Sequence, residues 1–275
     1  MKLEQLIAAA YQEDMPHGDV TTDSLKLGQR QGRAKLVAKQ DLVFSGAEAF
    51  EKSILFLEPQ AKLKWHFQDG ADVLKGQIVC TLQGDLLQIL KAERTALNFV
   101  MHFSGIATLT KAFVKRASNS KTKIIDTRKT LPGYRELEKR AVVHGGGINH
   151  RMDLSSAILL KDNHIAVMGG ITRAVEETRK NSDLPIEIEA GTLDDVKECV
   201  KLGVQRILLD NMTTEQMEAA LALIPPHIHT EASGNMTVDR IQEVASIGVD
   251  FISVGALTHS APAADLSLKF LWDEE

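Results

Sequence analysis

Cysteine is scarce, aromatic side chains are few, and no long apolar run interrupts the 275 residues. The two cysteines, Cys80 and Cys199, lie far apart and form no CxxC pair, which argues against a disulfide framework and for a reducing, cytoplasmic setting. Both read as inert core residues. Aromatics make up 5% of the chain, too few for the stacking platforms of a single-strand nucleic-acid binder. No apolar stretch approaches the roughly 18 residues needed to span a bilayer. The N-terminal stretch Leu6 to Tyr11 runs at once into Glu13 and Asp14, so it reads as a surface helix and not as a targeting segment. Positive charge is not in excess either: 32 Lys plus Arg against 37 Asp plus Glu leaves −5, so neither nucleic acid nor an anionic membrane is an expected partner.

What remains is the composition of a folded enzyme, 44% hydrophobic and 25% charged, long enough for one large barrel or two domains. Small anionic metabolites are the fitting class of partner, and any cationic site must be local. The first hundred or so residues repeat no unit. Turn signals at Asp69-Gly70, Lys75-Gly76 and Gln83-Gly84 cut Leu63 to Leu90 into short strands of an antiparallel sheet. From Glu93 to Arg116 an approximate helical period predicts a long helix, with Gly105 the expected interruption.

After about residue 120 the texture becomes a βα alternation. Apolar runs at Lys123–Asp126, Ala157–Lys161, Pro185–Glu189, Gln205–Asp210, His227–Glu231 and Asp250–Val254 alternate with amphipathic stretches, a spacing of parallel βαβ units. Asp126, Lys161, Glu189, Asp210 and Glu231 each end a run and should gather at the carboxyl edge. A barrel of about six strands brings them around one mouth, whereas an open sheet spreads them along a line. Side-chain alternation puts Glu187 with Glu189, and Leu159 with Lys161, on one inward face.

The densest chemistry lies in Asp126-Thr-Arg-Lys-Thr-Leu-Pro-Gly-Tyr, His144-Gly-Gly-Gly-Ile-Asn-His-Arg and Leu160-Lys-Asp-Asn-His164. Arg128, Lys129, His150, Arg151 and Lys161 form either a solvated basic loop or a cationic wall. Their attachment to strand ends favours the wall, and the mixture of forked guanidinium and compact ammonium suits a ligand carrying carboxylate and phosphate. Lys161 reads as a charge-paired ligand contact or, alternatively, as the Schiff-base amine of a barrel lyase, with the inward acids Asp126, Glu189 and Asp210 favouring the charged form. Glu189 and Asp210 either merely neutralise Lys161 or also steady a cationic sugar transition state and hydrated Mg²⁺. The loops Ser233-Gly234-Asn235 and Gly255-Ala256-Leu257 occupy the serial position of a barrel phosphate site, with His259 just beyond as a ligand contact or a surface residue. The histidines form no convincing zinc set.

The segments ERTALN (93–98), DTRKTLPG (126–133), GGGINHR (145–151), LKDNH (160–164), EIE (187–189), LLDN (208–211), EASGN (231–235) and SVGALTHS (253–260) together resemble the quinolinate phosphoribosyltransferase family over essentially the whole chain. The resemblance implies an N-terminal α+β sandwich-like domain over residues 1–108 and an incomplete, about six-stranded α/β barrel over 109–275, with a C-terminal helix packed back on the first domain. It implies a homodimer with shared sites, Arg94 reaching into the partner's. Arg128, His150, Arg151 and Lys161 would surround the dicarboxylate, with Lys129 near the phosphoribosyl donor. Glu189 and Asp210 would lie beside the ribose and its Mg²⁺, catalytic together with Lys161, while Ser233, Gly234, Asn235, Gly255, Ala256 and His259 would hold the phosphate. The implied reaction joins quinolinate to 5-phosphoribosyl 1-diphosphate (PRPP) in NAD biosynthesis, releasing diphosphate and CO₂. Asp153, where a glycine is expected, and Ser156, where an acid is common, depart from the pattern. Alternatives are a paralogue acting on another aromatic acid, the Schiff-base lyase, and a metabolite-binding protein without catalysis.

Overall fold

The computed structural model describes residues 1–271. The first stretch runs α1 (Leu3–Asp14), α2 (Val20–Ser24), β1 (Gln31–Ala38), β2 (Leu42–Val43), α3 (Ala47–Leu57), β3 (Lys62–Trp65), β4 (Asp72–Val73), β5 (Ile78–Asp85) and the long α4 (Leu86–Ala117). A βα alternation follows with β6 (Lys123–Ile125), α5 (Arg135–His144), β7 (Ile158–Leu160), α6 (Asp162–Met168), α7 (Ile171–Asn181), β8 (Ile186–Ala190), α8 (Leu193–Leu202) and β9 (Arg206–Asp210). Then come α9 (Thr214–Leu221), β10 (His229–Ser233), α10 (Val238–Ser246), β11 (Phe251–Ser253), α11 (Ala256–His259) and β12 (Leu266–Leu271). No helix among the described residues is long and apolar enough to cross a membrane.

Two compact units result. One takes Met1–Lys111, Thr130–Gly146 and the chain from Ser260; the other takes Ala112–Lys129 and Gly147–His259. Two short returns to the first unit mean that no single cut, such as one after residue 108, separates them.

The first unit is built on an antiparallel sheet in the order β12-β1-β5-β3, with β2 and β4 forming a separate two-stranded pair. The N-terminal helix is amphipathic, burying Leu3, Leu6, Ile7 and Tyr11, and the Tyr11 hydroxyl donates to the Ser53 carbonyl at 2.7 Å. Two expectations are corrected here. The C-terminal segment is a strand, not a helix: β12 pairs with β1 from Ala38 opposite Leu266 to Arg33 opposite Leu271, and the buried Leu266 and Leu268 repeat with the period of a strand. Gly105 does not interrupt α4, which runs through it. A side chain at that position would collide with the Pro262 carbonyl, so the glycine serves close packing.

Six parallel strands in the order β6-β11-β10-β9-β8-β7 form the second unit. Neighbours follow chain order from β7 to β11, and β11 then pairs with β6, the first strand. That cyclic order is a barrel left open between β6 and β7. Ile148 lies at this seam. It makes a lone parallel bridge to Ile125, donates from its amide to Ile124 O at 2.9 Å and accepts from Asp126 N at 3.1 Å.

The outer helices present apolar stripes at helical spacing: Ile171, Ala174 and Val175 on α7, Val196 and Cys199 on α8, Met217 and Ala220 on α9, and Ile241, Val244 and Ala245 on α10. Thr192 and Thr213 begin α8 and α9 with capping boxes, satisfying amide groups the helices leave unpaired. The inert reading of the cysteines holds, since burial pushes both the Cys80 and Cys199 thiols up to about 12.

Candidate active site

A cavity of about 750 Å³ opens at the carboxyl ends of the six strands. Alternation decides which side chains reach it. Leu159 and then Lys161 come from β7 and its end, Glu189 from β8, Leu208 and Asp210 from β9, Glu231 and Ser233 from β10, and Ser253 from β11. Arg128 and Lys129 enter just after β6, and the seam segment that bridges Ile125 delivers His150 and Arg151 to the same space. Gly234, Asn235, Gly255, Ala256 and His259 complete the rim. Of the site residues the resemblance implies, Arg94 alone does not line the cavity; it is exposed on α4, in the first unit.

The wall carries paired charges. Lys161 Nζ lies 3.3 Å from Glu189 Oε1, and Glu189 Oε2 accepts from the Asp162 amide at 3.2 Å. Asp210 Oδ2 accepts from the Asn211 side-chain amide at 2.8 Å. Arg151 donates from Nη1 to Ala157 O at 2.8 Å, while its buried Nε has no hydrogen-bond partner among the described residues. Burial, then the neighbouring Arg128, lowers the pKa of the Arg151 guanidinium, and an arriving anion relieves that strain. The Asp153 side chain accepts from the Ser155 amide at 2.9 Å and from its hydroxyl at 2.7 Å, so the departure at Asp153 closes a local turn.

Asp126 differs from the expectation that it faces Lys161. It is fully buried and its carboxylate accepts the His150 amide at 2.8 Å, which makes it a support for the seam segment. The His150 ring points inward, with Nε2 at 3.2 Å from Glu187 Oε1 and 3.6 Å from Glu231 Oε2. Arg206 approaches the same acids, 3.1 Å from Glu231 Oε2, its guanidinium over the Phe251 ring at 4.3 Å. Burial works against a charged His150, yet the two carboxylates overcome it and push the imidazole up to about 9. Burial raises Glu187, whereas at Glu231 the burial effect is outweighed by His150 and Arg206, which hold it below the usual range. His150, Glu187 and Glu231 are grouped closely enough for a metal ion, but Arg206 already supplies a cation to the same carboxylates.

The remaining rim is shaped for close approach. Gly234 has φ +95, and a side chain there would collide with Asn211 Oδ1. Asn211 and Asn235 are themselves left-handed, with φ 55 and 49. A Cβ on Gly255 would lie 3.0 Å from Lys129 Cδ and 3.1 Å from His259 Nε2. The Thr258 hydroxyl donates to Lys129 O at 2.7 Å, fixing the turn that carries the two basic residues after β6. Sequence reasoning passed over Thr127, Asn211 and Thr237, which also line the cavity. The signal for Asn211 was its place directly after the strand-end Asp210.

The family description "Quinolinate phosphoribosyl transferase, C-terminal domain" matches residues 106–269, and its N-terminal counterpart matches 19–104. A probable nicotinate-nucleotide pyrophosphorylase (carboxylating) of Synechocystis sp. is 41% identical over 264 residues, covering 94% of this chain and 89% of the relative. The protein of the same name from Bacillus subtilis is 36% identical, covering 100% and 96%. The structure of the nicotinate-nucleotide pyrophosphorylase from Francisella tularensis superposes with a TM-score of 0.93 at 35% identity, covering 98% of this chain and 96% of that one.

Proposed function

The chain belongs to the quinolinate phosphoribosyltransferase family, and we propose that its barrel mouth joins quinolinate to PRPP, forming nicotinate mononucleotide, diphosphate and CO₂ in NAD biosynthesis. The observation that carries this reading is the gathering of Arg128, Lys129, His150, Arg151 and Lys161 together with Glu189 and Asp210 around one cavity in a chain of net negative charge. Arg128, Arg151 and Lys161 bind the two carboxylates of the pyridine, His150 adds its charge from beneath with both ring nitrogens held by the protein, and Lys129 meets the donor. Ser233, Gly234, Asn235, Gly255, Ala256 and His259 receive its 5′-phosphate, where small residues let backbone N–H groups come close.

The pyridine nitrogen, held in line by the cationic wall, forms a bond to the anomeric carbon while the bond from that carbon to diphosphate breaks and its electron pair leaves with diphosphate. Glu189 and Asp210 stabilise the positive ribose in between. The ring nitrogen is now cationic. Loss of the adjacent carboxylate as CO₂ leaves an electron pair on carbon 2, which that nitrogen stabilises until the carbon takes up a proton. Mg²⁺ fits the carboxylate oxygens of Glu189 and Asp210 and not the deep histidine cluster, where Arg206 takes its place. When bound with the donor it neutralises diphosphate charge.

The Schiff-base alternative needs a desolvated amine, whereas the Lys161 side chain is 46% exposed and paired with Glu189. The enzyme is proposed to act as a cytoplasmic homodimer in which Arg94 serves the neighbouring site. Incubating the pure protein with quinolinate, PRPP and Mg²⁺ tests the reading: equal amounts of nicotinate mononucleotide and CO₂ support it, and no product from well-folded protein overturns it.

A further inference from the structure

Arg240 stands in the first turn of α10, where the helix dipole disfavours a cation. It does not line the cavity. Its guanidinium instead spans two rim loops, with Nη2 donating to Met212 O at 2.7 Å, after β9, and Nη1 donating to Gly234 O at 3.1 Å, after β10. Those loops hold the three left-handed residues of the rim, Asn211, Gly234 and Asn235. They also touch each other so closely that any side chain on Gly234 would strike Asn211. A second link runs parallel to the first, from the Thr214 hydroxyl at the start of α9 to Glu243 on α10.

Left-handed backbone at asparagine carries a local conformational cost and is kept only where surrounding contacts over-determine it. The forked guanidinium is suited to this, because two donors held in one plane fix the separation of two carbonyls. We infer that Arg240 is a positioning residue that clamps the loops after β9 and β10 together and so sets the spacing of the rim that receives the donor's phosphate. The inference rests on the proposed function for the identity of the ligand, and on geometry alone for the clamp.

Lysine keeps the charge of Arg240 but replaces the rigid planar fork by a single nitrogen of shorter reach, so Arg240→Lys separates a clamp from a merely attractive charge. Arg240→Ala with added methylguanidinium restores the bridging group without the chain. The expected result is that both variants raise the KM for PRPP by about tenfold or more, as loss of rim geometry implies. Quinolinate affinity measured by calorimetry without PRPP stays within about twofold by the same argument, because the dicarboxylate wall is untouched. Amide hydrogen exchange rises in residues 211–213 and 233–236, and methylguanidinium lowers the KM of the alanine variant but not of wild type. An unchanged PRPP KM in Arg240→Lys, or unchanged exchange in the two loops, would overturn the clamp. Absence of wild-type turnover would count against the proposed function instead, and the exchange comparison, which uses no substrate, would still decide the clamp.

Discussion

His150 Nε2 and Glu187 Oε1 lie 3.2 Å apart beneath the cationic wall, with Glu231 at 3.6 Å from the same nitrogen. The Arg151 amide donates to His150 Nδ1 at 2.7 Å. Charging the ring sets a second proton against that amide, so the backbone opposes what the two carboxylates favour. Two full charges in a site with little water outweigh one neutral hydrogen bond. The imidazole is therefore raised from 6.5 to about 9. A basic group raised on folding lends stability that is complete below about pH 6.5 and is lost as pH rises through about 9. NMR titration of the His150 ring should place its midpoint well above 6.5; a midpoint below that value would show that the Arg151 amide prevails.

Arg151 is the clearest single test of the wall. Its buried Nε lacks a partner among the described residues, and alanine there leaves a ligand carboxylate unmatched in the pocket. Arg151→Ala should weaken quinolinate binding by several kcal/mol, on the order of a hundredfold or more in Kd. Calorimetric titration measures it, and an affinity equal to wild type would remove Arg151 from the site.

Glu189 separates catalysis from structural neutralisation. Its partner Lys161 is 46% exposed, and an ion pair so placed contributes about 1 kcal/mol or less to stability. Glu189→Gln should therefore leave Tm nearly unchanged while kcat falls by at least about a hundredfold, the range found when one stabilising group is removed from a developing charge. Parallel loss of Tm and activity would reduce Glu189 to a counterion for Lys161.

Much of this site could be read before the structure, for identifiable reasons. Period-two alternation placed Leu159 with Lys161 and Glu187 with Glu189, and barrel closure then brought the strand ends together. What escaped was set by contacts distant in the chain. Gly105 reads as a helix break unless Pro262 is known to lie against it. Asp126 ends a strand like the other acids, but its carboxylate is taken up by the His150 amide of the seam segment. Arg206 and Arg240 look like surface cations in their helical and strand patterns, since nothing local shows that two carboxylates or two carbonyls await them. The strand nature of β12 depended on β1, more than two hundred residues earlier in the sequence.

Arg94 lies on α4 and does not line the cavity of its own chain, which motivates the proposal that it serves a neighbouring copy. Arg94→Ala and Arg151→Ala subunits, each impaired alone, should regain about a quarter of wild-type activity when mixed, because random pairing makes half the dimers mixed and each of these has one intact site. No recovery in confirmed mixed dimers would show that the sites are not shared.

Arg128, Lys129, Arg151 and Lys161, with His150 beneath them, are proposed to recognise a pyridine bearing two carboxylates next to an activated ribose. Turnover of quinolinate compared with nicotinate, each offered with PRPP and Mg²⁺, decides this recognition. Selective consumption of quinolinate with one CO₂ released per nucleotide formed is the expected result. Equal or preferred use of nicotinate, with no CO₂, would contradict it.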